Sequence, residues 1–164
     1  MGEETKKQTN WCWCAKCEGI FYLGTEWLSF CPAGGAHDEA FAKDFLYSVN
    51  TENKGEYNWF RCDKCQGLFN LLLLVWAGSN TPYMFNYGTC PAPGASIGGG
   101  HNPDFNVKYY IEKNNFSDQS LQTGWRFCKN CRGLYFGGHA TQGKCPAGGA
   151  HTPLDNSNYC LFVK

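Results

Sequence analysis

Short runs of alternating apolar and polar residues, broken by Gly, Asn and Pro, fill this 164-residue chain. Trp11-Cys12-Trp13 alternates into a close cysteine pair, and Ile20-Phe21-Tyr22-Leu23 leaves that pair and stops at Gly24. A period of two on both sides of a tight knuckle predicts a β-hairpin. After a polar stretch, Phe45-Leu46-Tyr47-Ser48-Val49 has the aromatic and β-branched content of a further strand. The order then returns twice. Trp59-Phe60-Arg61 with Gly67-Leu68-Phe69 predicts a second hairpin, closed by Val107-Lys108-Tyr109-Tyr110-Ile111. Trp125-Arg126-Phe127 with Gly133-Leu134-Tyr135-Phe136 predicts a third, closed by Tyr159-Cys160-Leu161-Phe162-Val163. Residues 50–57 and 114–124 are polar linkers. No helical spacing persists over a useful length, so the expected class is all-β.

The middle unit carries an insertion. Leu71-Leu72-Leu73-Leu74-Val75-Trp76, a Gly78-Ser79-Asn80-Thr81-Pro82 turn and Tyr83-Met84-Phe85-Asn86-Tyr87 predict an extended hairpin at about 70–89. It either packs over the core or presents an apolar surface for dimerisation or ligand binding. Residues 1–164 are read as a single domain of three repeats, 11–49, 59–111 and 125–163. One such unit cannot bury its aromatic face alone, whereas three can share a core. The expected architecture is a β-trefoil-like domain, with the first strand of unit one near the last strand of unit three and no exposed edges. A linear string of three zinc ribbons is the alternative, and it buries less.

The breaks between these strands hold the chemistry. Unit one has Cys14, Cys17, Cys31 and His37; unit three has Cys128, Cys131, Cys145 and His151 at the same spacings. The middle unit has Cys62, Cys65, Cys90 and His101, stretched by eleven residues before its third cysteine and five before its histidine. An odd number of repeated cysteines cannot pair within a unit, and a histidine in register has no place in a disulfide framework. Thiolates and imidazole in this pattern fit a closed tetrahedral Cys3His site, hence three structural zinc ions, with iron or a redox pair as the alternative. Pro32 and Pro146 stiffen the corner after the third cysteine, and Gly34-Gly35 and Gly148-Gly149 let the chain return with the histidine. Cys12 and Cys160 have no counterparts; they are expected on the same side of neighbouring strands, outside the ligand sets. His139 reads as a surface histidine, Trp11, Trp13 and Phe127 read as core, and Arg61 breaks the pattern without a sequence-level reason.

Hydrophobic residues make up 43% of the chain and aromatics 16%, which excludes a disordered segment. The net charge is zero and the 14 basic residues do not cluster. Nucleic-acid binding rests on clustered Lys and Arg, so no such partner is expected. The apolar run 71–76 is too short to span a bilayer, and 1–10 has no apolar core of a secretory signal. Metal-held thiols suit the cytoplasm, the expected location, with secretion by another route left open and the sequon Asn115-Phe116-Ser117 unused.

The pattern W-x-x-C-x-x-C-x-G-[LI]-[FY] followed by C-P-A-G-G-A-H resembles the tandem zinc-binding repeats of actinobacterial and some fungal proteins, over 11–163. Pro93 and the longer loops of the middle unit depart from it. The three-unit layout also resembles, by fold-level analogy, the small β-trefoil lectins of mushrooms and bacteria. With no catalytic set in view, the expectation is a non-catalytic carbohydrate-binding protein whose partner is a glycan or glycoprotein. Candidate contacts lie near Asp38, Asp104 and Asp155, or on the inserted hairpin near Trp76 and Tyr83. The alternative is a protein-interaction or inhibitor module that uses the 70–89 hairpin, which also admits a homodimer.

Overall fold

The structure, a computed structural model, describes residues 7–24, 29–39, 46–52, 55–74, 84–92 and 100–163. Eleven strands are present and no helix occurs among the described residues: β1 (Lys7–Trp13), β2 (Ile20–Tyr22), β3 (Tyr47–Asn50), β4 (Glu56–Arg61), β5 (Leu68–Asn70), β6 (Leu72–Leu74), β7 (Met84–Asn86), β8 (Tyr109–Lys113), β9 (Leu121–Phe127), β10 (Leu134–Phe136) and β11 (Tyr159–Val163). The hairpins are β1–β2, β4–β5 and β9–β10, each with three Cα pairs beside the cysteine knuckle. The third strands β3, β8 and β11 ladder with β1, β4 and β9, and also meet one another. Nine strands thus make one nearly closed, barrel-like sheet.

At the knuckle end a second set of contacts joins the hairpins. Phe21 bridges to Gly67, Phe69 to Gly133 and Tyr135 to Gly19. Beside these bridges, the backbone N–H groups of Tyr22, Asn70 and Phe136 donate to the carbonyls of Gln66, Arg132 and Glu18, at 2.9, 2.9 and 2.8 Å. Each hairpin therefore lends hydrogen bonds to the next, and the third returns to the first.

A bulge precedes each core tryptophan. Asn10, Asn58 and Gly124 have φ of 70°, 72° and 97°, a region Asn and Gly enter at low steric cost. Their carbonyls accept from Leu23, Leu71 and Gly137 at 2.8 Å each. The kink turns Trp11, Trp59 and Trp125 inward, where all three are fully buried. Each meets a closing-strand tyrosine edge-on: Trp11 with Tyr109 at 5.3 Å, Trp59 with Tyr159 at 5.5 Å and Trp125 with Tyr47 at 5.2 Å. The phenols find the residue three before that tryptophan: Tyr109 donates to Gln8, Tyr159 donates to Glu56 at 2.6 Å, and Tyr47 bonds Gln122.

Three details differ from the sequence reading. The closing strands begin at Tyr47 and Tyr109, two residues later than the apolar runs suggested, while β11 has the expected bounds. β1 makes its ladders with β2 and β3, and meets β11 through Lys7 Nζ, 3.7 Å over the Phe162 ring. Cys12 and Cys160 accordingly do not sit on neighbouring strands. Cys12 packs with Phe21 and the first cysteine cluster, and Cys160 lies against the carbonyls of Asn115 and Asn158. The inserted hairpin is present as β6–β7, a separate two-stranded sheet paired from Leu72–Asn86 to Leu74–Met84. Its tip, including Trp76 and Tyr83, lies outside the described residues.

Candidate metal centres

Each knuckle is built by its own backbone. Cys14, Cys62 and Cys128 N–H donate to the carbonyls of Gly19, Gly67 and Gly133 at 2.8–2.9 Å, and their own carbonyls accept from Glu18, Gln66 and Arg132 at 2.9 Å. That loop requires a left-handed residue after the second cysteine, and Glu18, Gln66 and Arg132 have φ of 66°, 69° and 68°. In units one and three the returning limb is a tight turn: Cys31 N–H donates to Gly35 and Cys145 N–H to Gly149, both at 2.8 Å.

These turns bring together all twelve residues that the sequence singled out, as three groups whose ligand atoms lie within 4.8 Å of one another. The sulfurs of Cys14 and Cys31 are 3.8 Å apart, those of Cys62 and Cys90 3.7 Å, and those of Cys128 and Cys145 3.8 Å. His37, His101 and His151 present Nδ1 to Cys17, Cys65 and Cys131 at 3.5, 3.5 and 3.6 Å. All eleven cysteines are free thiols, and a disulfide would need about 2.05 Å between sulfurs. A tetrahedron with metal–sulfur bonds of about 2.3 Å and metal–nitrogen bonds of about 2.0–2.1 Å has edges of roughly 3.8 and 3.5–3.6 Å. The donor atoms fit that solid in all three places. The chain therefore holds three buried Cys3His metal sites.

The surroundings also suit thiolates. Backbone N–H groups point at the sulfurs, from Gly19 to Cys17, Ala33 to Cys31, Asp38 to Cys14, Ala92 to Cys90, Asn102 to Cys62, Gly133 to Cys131 and Ala147 to Cys145, at 3.3–3.5 Å. Hydrogen bonds from the two sister cysteines pull Cys14, Cys62 and Cys128 below the ordinary thiol range. Hydrogen bonds with their own two sister cysteines, and then burial, push Cys17, Cys65 and Cys131 up. A cation bound among these sulfurs would take the place of the thiol protons.

The imidazoles are held on both faces of the problem, orientation and tautomer. Phe21, Phe69 and Tyr135 stack on His37, His101 and His151 with centroids 4.5–4.6 Å apart. With Nδ1 turned to the sulfurs, Nε2 carries the proton, and His101 and His151 donate it to the carbonyls of Cys131 and Cys17 at 3.1 Å. A ligand of one centre is thereby tied to the knuckle of the next. The stacking was signalled by the aromatic two residues after each knuckle glycine; the Nε2 links had no sequence signal. Ile20, Leu68 and Leu134, with Pro32, Pro91 and Pro146, line a small open pocket of about 40 Å³ between the three centres.

The residue after each second cysteine explains Arg61. Trp13 Nε1 donates to buried Glu18 at 3.0 Å, Arg61 donates to Gln66 at 2.6 Å, and Arg132 lies 4.3 Å over the Phe127 ring. The two positions change together while the backbone stays the same. Arg61 also pairs with Asp104 at 2.5 Å, both side chains being largely buried. Arg61→Ala is expected to cost about 1.5–3 kcal/mol by removing charged hydrogen bonds in a sheltered place. Chemical denaturation of metal-loaded protein checks this, and a loss under about 0.5 kcal/mol would mean the pair is only a surface contact. His139 is half-exposed, but it is tied by Nδ1 to Glu18 at 2.7 Å and packs against Trp13 and Phe136.

Two of the aspartates marked as ligand contacts make side-chain bonds within the corners, and the third is held through its backbone. Asp104 faces Arg61, the Asp155 carboxylate accepts from Ser157 N–H at 2.8 Å, and the Asp38 carbonyl accepts from Ala15 at 3.0 Å. Cys12 stands outside the clusters, its thiol pushed up to about 12 by burial and then by Glu39, Cys14 and Asp38. Among the described residues no helix is long and apolar enough to cross a membrane. Comparison with family models, curated proteins and solved structures gives no match to this chain.

Proposed function

We propose that the chain is a zinc-stabilised, three-repeat β-trefoil-like protein that binds carbohydrate and catalyses no reaction. The repeat reading is supported by contacts that recur at equivalent places, Trp on Tyr, phenol to the residue three before Trp, and aromatic on imidazole. Zinc is favoured because thiolate-rich tetrahedral sets with four protein donors match its preferences and leave no open position for water. The reduced thiols make cytoplasm the proposed location.

The observation that carries carbohydrate binding is Tyr57, 65% exposed on an open, shallow face shared with Gly55, Glu56, Glu112 and Lys113. Thr9 and Thr123 occupy the corresponding place, two residues before Trp11 and Trp125, so the fold does not ask for an aromatic there. A ring can take the C–H face of a sugar while carboxylates and an ammonium bond its hydroxyls. Zinc-loaded protein is expected to show hits on a broad glycan array, and Tyr57→Ala to weaken them about tenfold or more, a loss of about 1.4 kcal/mol. A blank array removes the reading; hits that ignore Tyr57→Ala move the site elsewhere.

A protein-interaction or inhibitor role is the second reading, and the separateness of the β6–β7 sheet favours it. Under it, deleting 71–87 abolishes partner capture or homodimerisation while three metal ions remain bound.

A further inference from the structure

Three centres with one donor set provide an internal comparison, and one of them differs. His101 and His151 are 4% and 6% exposed, and each Nε2 donates to the next knuckle's carbonyl at 3.1 Å. His37 is only half-buried, and its Nε2 has no hydrogen-bond partner among the described residues although that atom is shielded from solvent. The cause lies two residues before the third cysteine. Gly88 and Gly143 stand there in units two and three with φ of 70° and 74°, so close to the next knuckle that a Cβ would fall 2.1 Å from the carbonyl oxygens of Cys131 and Cys17. That approach lets Thr89 and Lys144 N–H reach the same carbonyls at 3.3 and 3.4 Å. Unit one has Ser29 at this place. Its Cβ forbids the same approach, and its hydroxyl instead accepts from His37 N–H at 3.1 Å, where His101 and His151 use the backbone carbonyls of Tyr87 and Gln142.

We propose that the Cys14–Cys17–Cys31–His37 centre is an exchangeable metal site, which releases and rebinds its ion while the other two centres hold theirs. The four donors keep the tetrahedral spacing, and Phe21 still stacks on His37 at 4.6 Å, so the site binds. What it lacks among the described residues is the outer hydrogen bond that fixes the imidazole and raises its basicity, a contact whose loss typically weakens metal binding about 10- to 100-fold. The greater exposure of His37 adds a path for a competing chelator. This rests on the metal reading of the clusters and is independent of carbohydrate binding.

The test is release of zinc from the fully loaded protein into excess chromophoric chelator, with cysteine alkylation and mass spectrometry on samples taken through the time course. One ion per chain is expected to leave about tenfold or more faster than the other two, given the affinity difference above. Cys14, Cys17 and Cys31 are expected to be alkylated in that first phase. Release of three ions in one phase, or first labelling of either of the other cysteine sets, overturns the proposal. Protein that yields no zinc at all overturns the metal reading beneath it, so the two failures are distinguishable. Because the labelling uses the unmodified chain, no variant has to fold.

Discussion

Stripping the metal ions is expected to unfold the chain rather than to loosen it. The second strand of every hairpin, β2, β5 and β10, has only three residues, and an isolated hairpin of that size is marginal in water. Ions in the three Cys3His sites would supply what the ladders cannot. Each would clamp a knuckle to a sulfur 17, 28 or 17 residues away and to a histidine further on. Structural zinc sites contribute on the order of 10 kcal/mol each, against about 5–15 kcal/mol for the net stability of a whole domain. Losing any two of the three ions would therefore exceed the stability available. Because each hairpin bonds the next, once a second centre is stripped no hairpin keeps both of its neighbours, and the collapse is cooperative from there.

The measurement is near-ultraviolet circular dichroism, which reports the packed Trp11, Trp59 and Trp125, on protein held at neutral pH with a strong chelator and a thiol reductant. The aromatic signal is expected to collapse as metal content falls and to return on adding zinc. Retention of the full signal and thermal midpoint in metal-free protein would show that the barrel core folds unaided and that the ions are accessory.

The ligand sets were legible in the sequence because spacing carries them. Cys14, Cys17, Cys31 and His37 recur with identical separations at Cys128, Cys131, Cys145 and His151, and the chemistry of four soft donors needs little else. The hairpins were legible for the same reason, since the knuckle fixes which strands are adjacent. How the three units meet was not. Gln8, Glu56 and Gln122 look like exposed polar residues in a β pattern, yet they hydrogen-bond the phenols of Tyr109, Tyr159 and Tyr47 from another unit. Such contacts depend on the rotation between units, which no local period encodes. Arg61 was opaque because its partners, Gln66 and Asp104, are on separate corners and in unit one the equivalent pair is Trp13 and Glu18. The closing strands started late because Val107 and Leu46 are apolar for packing while the ladders begin only where a partner backbone is in reach.

Replacing Trp59 by alanine is expected to be the most damaging single change outside the ligand sets. Its side chain is fully buried, with Phe127 at 5.1 Å and Tyr159 at 5.5 Å, both from unit three. Tyr159 in turn donates to Glu56 on the strand that carries Trp59, so the ring sits inside a closed circuit between two units. Truncating a buried Trp typically costs about 3–5 kcal/mol, because the transfer energy is lost and a cavity remains. For a domain of this size that is a fall of about 6–20 °C in thermal midpoint, measured with zinc in fixed excess so that ligand linkage is constant. The indole nitrogen is not the reason: Trp59 Nε1 is buried with no hydrogen-bond partner among the described residues, so Trp59→Phe gives up ring area but relieves an unpaired donor. An unpaired buried donor costs about 1–3 kcal/mol, comparable with the area lost, and Trp59→Phe should therefore stay close to the parent. A large drop in both variants would mean that the N–H finds a partner in solution, and a small drop in Trp59→Ala would mean that the units do not share a core through this ring.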